Sequence, residues 1–327
     1  MAFIRTQNVR IAGISATIPK NLESNRELAN MSQESIDLLV QTIGIDSRRI
    51  ASKGVSASDM CFASAEKLLN ELKWDRDEIE ILIFVSQTPD QPIPGSSMLM
   101  QEKLGLSKSC MAMDLNQGCA GYVYGLSTIM SLMSASNLKK GLLLVGDTIT
   151  HLLDENDQST VPIFSDAGTA TALEFNEDAA EAIFNLQTDG KGYQAIEQKR
   201  GEAMTMNGHQ VFHFGLKEVV PNVKSVLEEN QTGIDQIDHF IFHQANLLMN
   251  ESIRRKLKIP AEKVPYSLGE FGNTSCATIP LTIVSALKSA LSKGQKTCLL
   301  SGFGVGLSWG SGIVTFSNCV CPDLIEI

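Results

Sequence analysis

Three residues of this 327-residue chain have types and settings that could support acyl transfer together: Cys119, His243 and Asn273. Cys119 stands in Asp114-Leu115-Asn116-Gln117-Gly118-Cys119-Ala120-Gly121-Tyr122, where an apolar segment arrives and a small-residue helix, Ala120 to about Ser136, is predicted to leave. A cysteine at a strand-to-helix junction meets helix-terminal N–H groups and the helix dipole, so its thiol is expected below the usual pKa of ~8.5. Gly118 and Gly121 leave room for backbone or substrate to come close. His243 follows a buried apolar run in Phe242-His243-Gln244-Ala245-Asn246, and Asn273 lies in the glycine-flanked loop Phe271-Gly272-Asn273-Thr274-Ser275. All three are predicted at strand ends or the loops beyond them, where functional side chains gather in open α/β folds. A thiolate can attack a thioester carbonyl while His and Asn donate hydrogen bonds to oxygens that become negative. A lone buried cysteine or histidine is more often structural, so the catalytic reading rests on the trio.

These residues need a scaffold of buried strands. Residues 9–16 alternate and read as a strand, and Ile79 to Val85 and Gly141 to Asp147 read as strands buried on both faces. Ala112 to Leu115 feeds the Cys119 turn, and Thr169 to Phe175 closes the first half. Helices are predicted over Ser24–Met31, Ser35–Thr42, from a cap at Ser56 or Ser58 to Leu72, over Ser96–Leu104, and over Ile279–Leu291. Asp235 to Phe242 echoes Asp77 to Phe84 at a spacing of 158 positions, close to half the chain, and each follows an amphipathic helix. The expected fold is α/β: two similar halves, 1–177 carrying the cysteine and 178–327 carrying His and Asn, with layered sheets and buried helices.

Composition sets the outer limits. With 43% apolar, 20% charged and 6% aromatic residues, the chain reads as globular, and a formal net charge of −10 argues against a nucleic-acid surface. No apolar run reaches the ~18 residues of a membrane span, and the N-terminus lacks the pattern of a signal peptide, so the cytoplasm is expected. The seven cysteines (61, 110, 119, 276, 298, 319 and 321) show no paired metal spacing, and His151, His209, His213 and His239 form no metal pattern. Asp147 and Asp166 are read as fixing loops.

In ordered combination, four segments resemble the β-ketoacyl-acyl-carrier-protein synthase III family of the thiolase superfamily, and the similarity runs over essentially the whole chain. They are Asp114 to Gly121, His243-Gln244-Ala245-Asn246-Leu247, Gly272-Asn273-Thr274-Ser275, and Gly302-Phe303-Gly304-Val305-Gly306 with Trp309-Gly310-Ser311. The resemblance implies a duplicated βαβαβαββ fold in α-β-α-β-α layers, and a homodimer. It implies that Cys119 takes an acyl group from acyl-CoA or an acyl-carrier protein, with no cofactor or metal. Malonyl-carrier protein is then decarboxylated, His243 and Asn273 hold the enolate, and the carbanion attacks the acyl-cysteine. The backbone N–H groups of Cys119 and Val305 would form the oxyanion hole, with Val305 standing where glycine is common. Asn246 would order the loop near His243, or serve only as a satisfied loop amide. Ile93, in Pro92-Ile93-Pro94, corresponds to a residue that crosses the family's dimer interface to bound the partner's acyl pocket. A bulky aromatic is frequent there, so a differently shaped pocket and a plain interface residue are both open. Met98, Met100, Met111 and Met113 are candidates for an acyl channel or for core packing.

Departures from the family fall on one task. Family members that prefer acetyl-CoA hold its adenine with a tryptophan and two arginines, and the corresponding positions here are Leu38, Thr42 and Gln158. A carrier-protein donor, or CoA bound differently, in a specialised rather than housekeeping pathway is therefore expected. Arg254, Arg255, Lys256 and Lys258 form the densest basic cluster, suited to docking an acidic carrier protein or to a solvated face. The nearest rival is transfer of the Cys119 acyl group to a non-malonyl O, N or C nucleophile. A thiolase would need a second catalytic cysteine and a hydroxymethylglutaryl-type synthase a glutamate, and neither is evident. A non-catalytic partner subunit would have lost the nucleophile, and a papain-like protease has different flanks.

Overall fold

Ile81–Val85 carries no polar face because both of its faces are covered. In the computed structural model, which describes residues 2–28 and 31–327, Ile81, Ile83 and Val85 pack with Tyr122, Leu126 and Ile129 of the helix Gly121–Ser136. Leu82 and Phe84 point the other way, to Cys61, Ala65 and Leu68 of the helix Ala57–Leu72. Ser56 caps that helix in a reciprocal box with Asp59.

The second half repeats the plan. Leu300 and Val314 face the same central layer as Gly121–Ser136, joined there by Ile279, Leu281 and Ile283 of the helix Thr278–Ala286. Leu299 and Ile313 face outward onto Val223 and Val226 of Val220–Glu229 and Met249 and Ile253 of Leu247–Leu257. Helix, sheet, two central helices, sheet and helix thus stack as five layers.

Strand order supports duplication. In the first half Ile81–Val85 lies parallel to Lys140–Asp147, which pairs antiparallel with Ala167–Phe175, itself antiparallel to Val9–Ile18. In the second, His239–Phe242 lies parallel to Gln295–Gly304, followed antiparallel by Ser308–Val320 and then Ala182–Thr188. The halves share one eleven-stranded path, because Ser308–Val320 also pairs with Val9–Ile18, and Phe3–Thr6 adds to Ala182–Thr188. The first half has an extra edge strand, Met111–Leu115, parallel to Ile81–Val85, and it delivers Cys119.

Two expected helices differ. Over Ser24–Met31 only Asn25–Glu27 forms a 3-10 turn, and residues 29 and 30 lie outside the described residues. Asn25 is buried there, its Nδ2 donating to the Ile45 and Pro162 carbonyls, so it ties loops together instead of continuing a helix. The helix expected over Ile279–Leu291 breaks at Leu287 into Thr278–Ala286 and Lys288–Leu291. Among the described residues, no helix is long and apolar enough to cross a membrane.

Candidate active site

The Cys119 turn is shaped by what its glycines leave out. Gly121 begins the helix, its N–H bonded to the Gly118 carbonyl at 2.6 Å, and a Cβ on it would lie 2.8 Å from Val85 Cγ1. From the other half, the glycine-containing end of Gln295–Gly304 slides under the turn. A Cβ on Gly302 would fall 2.9 Å from Ala120 Cα, and one on Gly304 2.9 Å from Cys119 Sγ. This close approach sets the Val305 N–H against the sulfur.

His243 follows the strand His239–Phe242, its N–H donating to the Ser301 carbonyl at 2.8 Å and its own carbonyl held by Asn250 Nδ2 at 3.0 Å. The ring packs edge-on to Phe303, with centroids 5.4 Å apart. Nδ1 lies 2.7 Å from Thr278 Oγ1, and the Thr278 hydroxyl donates to the Ser275 carbonyl at 3.1 Å. With its hydrogen so placed, Thr278 accepts from Nδ1–H, which leaves the Nε2 lone pair as the free face of the imidazole.

Asn273 is held by its backbone, N–H to the Ile163 carbonyl at 2.9 Å and carbonyl to the Ser165 N–H at 3.0 Å. Its Oδ1 accepts the Ser275 N–H at 2.9 Å, which fixes the flip of the amide. Nδ2 reaches only the Ala245 carbonyl, at 3.5 Å, so one N–H remains to give.

Cys119, His243 and Asn273, 154 positions apart at the extremes, line one cavity of about 600 Å3. Phe303 and Gly304 form its floor, and Thr42, Ser159 and Leu248 bring it to the surface. Asn246 also lines it, and its Oδ1 caps the helix Leu247–Leu257 by accepting the Met249 N–H at 2.9 Å.

The electrostatics correct one expectation. Cys119 is not a resident thiolate: burial pushes its thiol up to about 11, with Asp147 adding to the rise. The neighbouring Val305 N–H, Ser275 hydroxyl and its own N–H pull the other way without offsetting burial. Burial pushes His243 down to about 3, so at neutral pH the resting pair is thiol and neutral imidazole. Alkylation of Cys119 by iodoacetamide should therefore climb about tenfold per pH unit from pH 7 to 9.5 without levelling. A plateau with an apparent pKa below 8 would instead reveal a thiolate–imidazolium pair.

Other expected residues fall in different places. Arg254 is engaged internally, its guanidinium bidentate to Glu251 at 2.8 Å and donating to the Ile259 carbonyl. Arg255, Lys256 and Lys258 are exposed at the same helix end. Ile93 is 85% exposed at the surface of the loop before Ser96–Lys103. None of the four methionines lines the catalytic cavity: Met100 is core, Met113 packs against core, and Met98 and Met111 are exposed. Asp147 Oδ1 accepts from the Ser86 hydroxyl and the Gln87 and Thr88 N–H groups, and Asp166 from Ala51 N–H and Thr150. Phe303 and Ser275 lie inside the motifs that the sequence offers, without a role of their own there, and Thr278 lies outside them. Ser275 and Thr278 follow Asn273 at two and five positions, a spacing that places both at the start of the next helix.

Comparison with known proteins agrees with this architecture. Residues 113–192 match the model of 3-oxoacyl-[acyl-carrier-protein] synthase III, and residues 227–316 that of its C-terminal part. The chain is 34% identical over 302 residues to β-ketoacyl-[acyl-carrier-protein] synthase III 1 of Halalkalibacterium halodurans, covering 92% of this chain and 96% of that one. Against the synthase III of Bacillus pumilus it is 32% identical, covering 93% and 97%. A 3-oxoacyl-(acyl-carrier protein) synthase from Burkholderia xenovorans superposes with a TM-score of 0.96 at 38% identity, over 100% of this chain and 99% of that one. With the matches spanning both halves and the thiolase-type layers in place, the chain belongs to the β-ketoacyl-[acyl-carrier-protein] synthase III family.

Proposed function

We propose that this chain is an acyltransferase that joins an acyl thioester primer to malonyl-acyl carrier protein by decarboxylative Claisen condensation. The observation that carries the reading is the cavity that brings Cys119, His243 and Asn273 together beside the Val305 N–H. In the first step Cys119 Sγ attacks the primer carbonyl, whose oxygen turns toward the N–H groups of Cys119 and Val305. The thiol proton passes through His243 Nε2 to the departing thiolate, which suits a neutral pair better than a standing ion pair. Carbon dioxide then leaves the malonyl group, and its bonding electrons move onto the thioester oxygen. Asn273 Nδ2 donates to that enolate, as does His243 once its proton sits on Nε2. Rotation of the Thr278 hydroxyl from the Ser275 carbonyl to Nδ1 would support that tautomer. The carbanion attacks the acyl carbon, Cys119 leaves as thiolate, and one proton from solvent restores the thiol. The thioesters themselves supply all the chemistry, so no cofactor is required.

The donor we favour is a carrier protein. Leu38 and Leu248 stand 65% and 50% exposed, Leu248 and Thr42 line the opening, and these positions offer no ring or guanidinium to an adenine. Arg255 and Lys256 lie in the last turn, and Lys258 at the C-cap, of the helix whose first turn lines this opening, a surface on which an acidic carrier would land. The cytoplasm is the proposed compartment, in keeping with seven free cysteines. A homodimer is proposed from the edge strand Met111–Leu115, paired on one side only. Met111, Met98 and Ile93 are exposed around it, and Ile93 would reach the partner's acyl pocket. Light scattering should give twice the 35.5 kDa chain mass, and a monomer at micromolar concentration would refute this.

Intact-mass spectrometry after incubation with acyl-CoA and acyl-carrier-protein donors, followed by malonyl-carrier protein, tests the reaction. The expected adduct on Cys119 clears as carbon dioxide and a β-ketoacyl carrier appear. Persistence with malonyl-carrier protein but release to an amine or alcohol would move the assignment to transfer onto another nucleophile. Reversing Arg255 and Lys256 to Glu should raise KM for malonyl-carrier protein about tenfold, leaving malonyl-pantetheine unaffected. Equal losses with both substrates would remove the docking role.

A further inference from the structure

Beside the catalytic cavity lies a second one of about 300 Å3, and Ile196 lines both. Val305 and Gly306 form part of its wall, and Val305 also borders the nucleophile turn, where a Cβ on Gly118 would lie 3.0 Å from Val305 Cγ2, so the cavity adjoins the residue just before Cys119. Gln87 and Asn116 also line it. Gln87 is rooted by its own N–H, which donates to Asp147 Oδ1 at 2.7 Å. Its side chain lies across Gly118, where a Cβ would come within 2.4 Å of Oε1, so the carboxamide borders the residue just before Cys119. Neither the Gln87 nor the Asn116 carboxamide has a hydrogen-bond partner among the described residues. Gln117, between Asn116 and Gly118, is by contrast engaged, its Oε1 accepting from the Ser308 hydroxyl at 3.2 Å. Ile149, Leu152 and Met204 make other walls apolar, and Glu197 adds a carboxylate.

Gln87 is half-buried and Asn116 stands exposed at the rim, so an aliphatic primer filling the cavity would cover the Gln87 carboxamide and return no hydrogen bond to it, a cost that recognition of a polar chain avoids. Glu197, whose carboxylate lies 3.6 Å from the Lys199 ammonium, leaves this wall without net positive charge to favour an anionic chain. The volume equals that of about ten water molecules, enough for a short acyl chain. Resting on the reading of Cys119 as the acyl acceptor, we infer that the primer is a short acyl thioester bearing a neutral hydrogen-bonding group. That group, a hydroxyl or carboxamide two or three atoms from the thioester carbonyl, is recognised by Gln87 and Asn116.

The test compares 3-hydroxybutyryl-pantetheine with butyryl-pantetheine, small donors that need no carrier docking, by the rate at which each adds mass to Cys119. The wild-type protein should favour the hydroxylated donor at least about tenfold in kcat/KM. Gln87→Leu combined with Asn116→Leu should bring the ratio to one or invert it. Because the ratio is taken within each protein, a loss of folded material does not imitate the result. Wild-type preference for butyryl, or a ratio unmoved in the double variant, overturns the polar primer and leaves condensation standing. An absence of adduct from both donors overturns the acyl-cysteine reading and this inference with it.

Discussion

Cys119→Ala should abolish the acyl adduct and lower condensation by on the order of 10^4-fold or more, the scale at which a covalent nucleophile matters. No nearby thiol is placed to replace it. Cys276 is buried behind the turn, with Sγ donating to Asp147 Oδ2 at 3.2 Å, and burial beside that carboxylate raises its pKa well above the ordinary range. It lines neither cavity. Because His243 and Asn273 keep their own anchors, to Thr278 and Ser275, the alanine variant should still release carbon dioxide slowly from malonyl-carrier protein. Product and carbon dioxide measured together check this. Condensation within a hundredfold of wild type would show that the acyl group does not pass through Cys119.

How far the chain could be read without its structure depended on whether a feature was local. The strand at 81–85 and residues 141–146 of the strand Lys140–Asp147 are unbroken runs without a polar side chain, and burial on both faces is the usual reason for such a run. The repeat was legible because Asp235 to Phe242 keeps the polar start and apolar end of Asp77 to Phe84, and both become a 3-10 turn followed by a strand. The state of Cys119 was not legible. Its helix N-terminus could be read from the glycines, but the thiol's pKa is decided by depth, and depth comes from a glycine segment nearly two hundred residues away. Arg254 shows the same limit on the surface. In sequence it matches Arg255, and both reach Glu251, but Arg254 is held bidentate at 2.8 Å and largely covered, whereas Arg255 makes one contact at 3.5 Å and stays 75% exposed. Thr278 was invisible for a further reason, since its partner His243 lies 35 positions earlier and only the folding of the second half brings the two together.

Asn273→Asp should separate the two stages of the reaction. The carboxylate keeps an acceptor for the Ser275 N–H, so the loop retains its main anchor, together with the backbone bonds to Ile163 and Ser165. What is lost is the Nδ2 donor, replaced by an anionic oxygen facing the developing enolate. Removing one oxyanion donor usually costs about 10^2–10^3-fold, and the added negative charge pushes the loss to the upper end of that range. Acylation of Cys119 uses the N–H groups of Cys119 and Val305 instead, so it should stay within about threefold of wild type. Burst mass measurement reads the first stage and carbon dioxide release the second. If both fall together, Asn273 acts by holding the loop and the enolate role assigned to it is wrong. If only the second falls, the division of labour follows from geometry. The Val305 N–H serves the oxygen of the primer, and the one free N–H of Asn273 serves the oxygen of the malonyl group.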